Sequence, residues 1–66
     1  MQIKINGETR EFEAALSVEA LLQTLGIDAR KVAVECNLEI VPKSQFAATR
    51  LGDGDQLEIV HFIGGG

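Results

Sequence analysis

The opening stretch MQIKINGETREFE constrains the fold more tightly than any other part of the chain. On an extended backbone Met1, Ile3 and Ile5 fall on one side and Gln2, Lys4 and Asn6 on the other, the period of a half-buried strand. Asn6-Gly7 follows, and both residues tolerate the positive φ that a two-residue type I′ hairpin demands. ETREFE is therefore predicted to return antiparallel, as an edge strand, because its charges suit a strand with one unpaired side. A sheet that opens this way has an apolar face in need of a cover.

The next segment, LSVEALLQTLG, changes period. Val18, Leu21, Leu22 and Leu25 recur at i, i+3, i+4 and i+7 and form one stripe of a helix. Ser17 is a suitable N-cap, Glu19 suits the positive end of the helix dipole, and Leu16 with Leu21 has the spacing of a hydrophobic staple. Gly26 ends the stripe, so a helix over Val18–Leu25 is expected. KVAVECN then reads as a β-branched strand and LEIVP as another, stopped by Pro42. KSQFAATRL has no sustained period beyond one helical turn, capped by Ser44 and carrying Phe46. GDGD is a turn, and QLEIVHFI is the longest strand candidate. The expected order is β-β-α-β-β-β. One main helix can cover one face of a mixed sheet, which gives a two-layer α+β architecture.

Composition narrows the setting. The 66 residues allow one domain with a modest core, and 45% hydrophobic against 24% charged residues is too apolar for a disordered segment. With three Phe and no Trp or Tyr, that core must be mainly Ile, Leu and Val. One cysteine permits no intrachain disulfide and no cysteine-based zinc site, so a reducing, cytoplasmic setting is expected. No stretch has the length of a signal peptide's apolar region or of a membrane span. A net charge of -4 with a pI near 4.7 disfavours nucleic acid and favours a partner with a positive dock.

The last strand leads to the functional expectation. If Leu57 and Ile59 face the helix, Val60 and Phe62 face away from it, and with Ile63 they make an apolar docking patch beside Gly64, Gly65 and Gly66. The expected division is a domain over 1–63 and a flexible glycine tail over 64–66. IVHFIGGG at the end, VECNLEIVPKSQF in the middle and GDGDQLEIV before the last strand resemble the ubiquitin-like, β-grasp sulfur carriers over the whole chain. Asn37, Ile40-Val41-Pro42 and Gly52-Asp53-Gly54-Asp55 resemble the thiamine-biosynthesis branch in particular. Phe46 stands where similar sequences often carry a tryptophan, a swap that keeps an aromatic.

The resemblance implies a carrier and co-substrate rather than an enzyme. A ubiquitin-activating-type adenylyltransferase would use ATP and Mg to adenylate the Gly66 carboxylate. Sulfur derived from a cysteine desulfurase would convert it to a thiocarboxylate, and thiazole synthase would take that sulfur. The chain itself would bind no cofactor and no metal. The glycines suit such work: extended, three of them span at most roughly 10 Å, and without Cβ atoms they can thread a narrow channel. Two other readings stay open, a molybdopterin synthase small subunit and a ubiquitin-like interaction module without covalent chemistry.

The remaining chemistry-bearing residues have simpler explanations. Cys36 ends a β-branched strand, where cysteine usually acts as a small hydrophobe, and no basic neighbour in sequence would lower its pKa. His61 is the sole histidine, which disfavours a metal site. Asp53 and Asp55 lack the other ligands of a calcium loop and suit a tight turn.

Overall fold

Asn6 and Gly7 take φ of +49° and +85° and turn the chain between β1 (Gln2–Ile5) and β2 (Glu8–Glu11) in the computed structural model, which describes residues 1–13 and 16–63. All four residues of β2 are exposed, as expected of a charged edge strand. The helix α1 spans Val18–Thr24. The Ser17 side chain accepts a hydrogen bond from the Ala20 N–H at 3.0 Å, a cap worth about 1 kcal/mol. Leu25 occupies the C-cap position, and Gly26 leaves the helix at φ +72°. Seven residues are too few to hold a helix in water alone, so α1 depends on burial of Val18, Leu21 and Leu22.

A short 3-10 turn, Ala29–Lys31, leads into β3 (Val32–Cys36), followed by β4 (Glu39–Val41), a second 3-10 turn (Lys43–Gln45) and β5 (Gln56–His61). The strand order across the sheet is β2-β1-β5-β3-β4. β1 and β5 are parallel and the other neighbours antiparallel, so the sheet is mixed. The last strand in sequence is thus the central one in space. The second 3-10 turn begins one residue before Ser44, with Pro42 at its N-cap and no side-chain cap bond, so the expected Ser44 cap does not form. Pro42 already supplies the extended backbone that precedes a helical turn, and Phe46 still drops into the core.

The core lies between α1 and one face of the sheet: Ile3, Ile5, Val18, Leu21, Leu22, Val32, Val34, Val41, Phe46, Leu51, Leu57 and Ile59. Eleven of these twelve are aliphatic, so removing one large side chain leaves a cavity with little to fill it. Truncation of Leu21 or Leu22 to Ala should cost about 2–5 kcal/mol.

Two asparagines fasten β5 along its length. Beyond the end of β1, the Asn6 side chain donates to the Ile59 carbonyl at 3.1 Å and accepts from the Ile59 N–H at 2.8 Å. At the other end, Asn37 (φ +52°) accepts from the Gln56 N–H at 3.0 Å and donates to an Asp55 carboxylate oxygen at 3.1 Å. Each amide satisfies backbone or carboxylate groups that would otherwise lack a partner where the ladder stops.

Candidate functional site

The candidate site is the end of β5 and the sheet face it presents. Leu57 and Ile59 are buried beneath α1, and by alternation Glu58, Val60 and Phe62 face the other way. Val60 is 60% exposed, Phe62 55% and Ile63 100%, so the expected strand faces are the observed ones. Val60 stands opposite Ala33 of β3, and Ile40 of β4 adds a further exposed apolar side chain on the same face. Gly64, Gly65 and Gly66, expected to carry the chemistry, lie outside the described residues.

Phe62 is positioned by a small polar framework. Its N–H donates to the Lys31 carbonyl at 2.9 Å, continuing the β3–β5 pairing one step past His61. Lys31 closes the 3-10 turn Ala29–Lys31, whose N-cap is Asp28. One Asp28 oxygen accepts from the Arg30 N–H at 2.9 Å, and the other accepts from the Arg30 guanidinium at 2.9 Å. These bonds from Arg30 hold the Asp28 carboxyl well below the usual carboxylate range. Lys43 enters from the second 3-10 turn: its Nζ donates to the Arg30 carbonyl at 2.8 Å and lies 4.8 Å from the Phe62 ring centroid. That is within the range of a cation–π contact.

Sequence reasoning missed Asp28, Arg30 and Lys43. Asp28 carries a readable signal, an Asp two residues before a base at a helical start, but the turn is too short to show a period. Nothing in the sequence links Lys43 to Phe62, because that contact depends on how β4 and β5 flank β3.

The other candidates are dispersed. Cys36 is partly buried and packs against the core from the opposite end of the sheet. It is level with Leu57, five residues before Phe62, which is roughly 16 Å along a strand. Burial pushes its thiol pKa up, and the Asp55 and Glu39 carboxylates push it the same way. At neutral pH it is a thiol, not a thiolate nucleophile. His61 is exposed beside Val32's register position, and no group of three or more metal-ligating side chains occurs among the described residues. Asp53 accepts from the Gln2 N–H at 2.7 Å and Asp55 from the Gly52 N–H at 2.7 Å, so both serve the turn before β5. No helix among the described residues is long and apolar enough to cross a membrane.

A β-grasp sheet whose central strand ends in an apolar patch narrows the relationships to be expected, and the comparisons settle the family. The model of the ThiS family matches residues 3–66.

The chain belongs to the ThiS family.

The crystal structure of the thiamine biosynthesis protein ThiS from Geobacter metallireducens superposes with a TM-score of 0.88 at 36% identity, each chain covered in full. The sulfur carrier protein ThiS of Escherichia coli is 35% identical over 66 residues, again covering both chains in full. A thiazole synthase of Paramagnetospirillum magneticum is 65% identical over the whole of this chain, which spans 20% of that protein. The chain thus spans about one fifth of the length of the first curated relatives it matches. In those polypeptides a ThiS-like segment is part of a longer protein named for thiazole synthesis.

Proposed function

We propose that this ThiS-family chain is a sulfur carrier for thiazole formation in thiamine biosynthesis, working through the Gly66 carboxylate. The observation that carries the reading is exposed Val60 on the central strand with exposed Phe62 and Ile63 just past its end, directly preceding Gly64-Gly65-Gly66 in sequence. The names of the thiazole synthase and sulfur carrier relatives support the thiamine pathway over the molybdopterin one.

The chemistry starts from the electrophile. A carboxylate resists substitution until one oxygen becomes a good leaving group. The Gly66 carboxylate attacks the α-phosphorus of ATP, held with Mg by a ubiquitin-activating-type adenylyltransferase, and pyrophosphate leaves. The terminal sulfur of a persulfide, supplied by a cysteine desulfurase, displaces AMP. A thiol then cleaves the acyl disulfide and releases the thiocarboxylate, whose sulfur passes to thiazole synthase. Glycine leaves the carbonyl carbon unobstructed at each step. Val60, Phe62 and Ile63 dock the activating partner. The partners catalyse every step, and this chain is their co-substrate.

The test is incubation of the chain ending at Gly66 with the activating enzyme, ATP, Mg and a sulfur source, followed by intact mass measurement. Replacement of one oxygen by sulfur is expected. An unchanged mass, under conditions where the enzyme consumes ATP with its own carrier, would leave only a non-covalent ubiquitin-like module.

A further inference from the structure

The open face of the sheet carries a like-charged pair at its centre. Glu35 of β3 stands directly opposite Glu58 of β5 in the antiparallel register, on the face away from α1. Like charges in such a pair destabilise the sheet that holds them. Among the described residues neither carboxylate is in an ion pair. Lys4, the cation nearest by register on β1, stands beside Gln56 rather than Glu58. The Lys43 ammonium is committed to the Arg30 carbonyl and the Phe62 ring.

The surroundings of the pair are apolar. Ile40, 65% exposed, is the β4 partner of Glu35, while Val60 follows Glu58 by two residues and faces Ala33. Two uncompensated carboxylates between exposed aliphatic side chains, in a chain of net charge -4, fit a complementary group that is cationic and can tolerate partial burial.

We infer that Glu35 and Glu58 jointly receive one basic side chain of the activating partner, with Ile40 and Val60 packing around it. The inference rests on the docking reading proposed above and specifies the chemistry of the partner's surface. An arginine suits the site best, because its planar fork can bond two carboxylates at once and is less strongly hydrated than an ammonium. Its arrival gains two attractions and offsets one repulsion, so the pair costs stability in the free chain and adds affinity in the complex.

Opposite signs in the two states make this testable. Glu35→Gln, Glu58→Gln and the double variant are compared with Phe62→Asp. The readouts are the thermal midpoint of the free chain and the chain concentration giving half-maximal ATP–pyrophosphate exchange by the activating enzyme. Each single Gln variant should raise the midpoint by about 1–5 °C. At low salt each should also raise the half-maximal concentration about threefold, and the double variant about tenfold. The differences in exchange should shrink toward about 0.5 M salt. Unchanged exchange with the Gln variants, while Phe62→Asp still impairs it, would overturn the cation seat and leave the docking patch standing. Unchanged exchange with Phe62→Asp as well would remove the docking reading and this inference together.

Discussion

The Lys43 ammonium sits 4.8 Å from the centre of the Phe62 ring while donating to the Arg30 carbonyl, so one side chain links the second 3-10 turn, the first 3-10 turn and the exit of β5. Phe62 is therefore both exposed and held. An exposed aromatic fixed in direction loses less freedom on docking than a mobile one. Phe62→Asp is expected to weaken use of the chain by the activating enzyme at least tenfold. Folding stability should fall by no more than about 1 kcal/mol, the cation–π contact being the main loss. A large drop in thermal midpoint with normal activation would mean that Phe62 serves the fold instead.

Asp28 gives the acid dependence. Its carboxyl titrates lower in the folded chain than its ordinary value of 3.8, so on acidification the unfolded state takes up the proton first. The stabilisation is present above about pH 4 and is lost as pH falls below it. Asp28→Asn keeps an N-cap but removes the ion pair with Arg30, so its thermal midpoint should fall less between about pH 6 and 3 than that of the parent. Parallel curves for the two chains would contradict this role.

Cys36 distinguishes sulfur carried on a carboxylate, as expected from the sequence, from sulfur carried on a thiol. Cys36→Ala should support sulfur loading within about twofold of the parent and cost about 1 kcal/mol or less, since the site is only partly buried. The raised thiol pKa also fixes a sign. Above the ordinary value of 9.0 the unfolded chain loses its proton first, so the parent should lose stability with rising pH and the Ala variant should lack that component. Loss of loading in a folded Cys36→Ala chain would make the thiol a relay.

Leu38 is the least expected residue of the fold. It is 88% exposed and has φ +70°, in the left-handed region that disfavours a side chain of this size. Leu38→Asn should stabilise the chain by up to about 1 kcal/mol in chemical denaturation, because asparagine tolerates that conformation and no core contact is lost. Destabilisation would show that Leu38 makes a contact worth more than its backbone strain.

These residues also mark how far a sequence can be read. Asn6-Gly7, the Val18-Leu21-Leu22 stripe and the alternation through Leu57 and Ile59 encode local geometry, and each is legible because its period or turn chemistry is self-contained. The exposed faces of Val60 and Phe62 come from the same alternation. The placement of β5 between β1 and β3 does not, since strand order depends on contacts between segments far apart in sequence. The Glu35–Glu58 pairing and the Lys43–Phe62 contact depend on that order and are hidden with it. The Ser44 cap fails for a local reason: Pro42 already sets the start of the turn.

The central claim is that sulfur travels on the Gly66 carboxylate, and one measurement addresses it most directly. After incubation with the activating enzyme, ATP, Mg and a sulfur source, the loaded chain is digested and the sulfur-bearing peptide located by mass spectrometry. A chain lacking Gly65 and Gly66 is treated in parallel. The expected result is one oxygen replaced by sulfur on the peptide ending at Gly66, with no ATP–pyrophosphate exchange above background from the shortened chain. Sulfur on the peptide containing Cys36, or exchange sustained by the shortened chain, would contradict it.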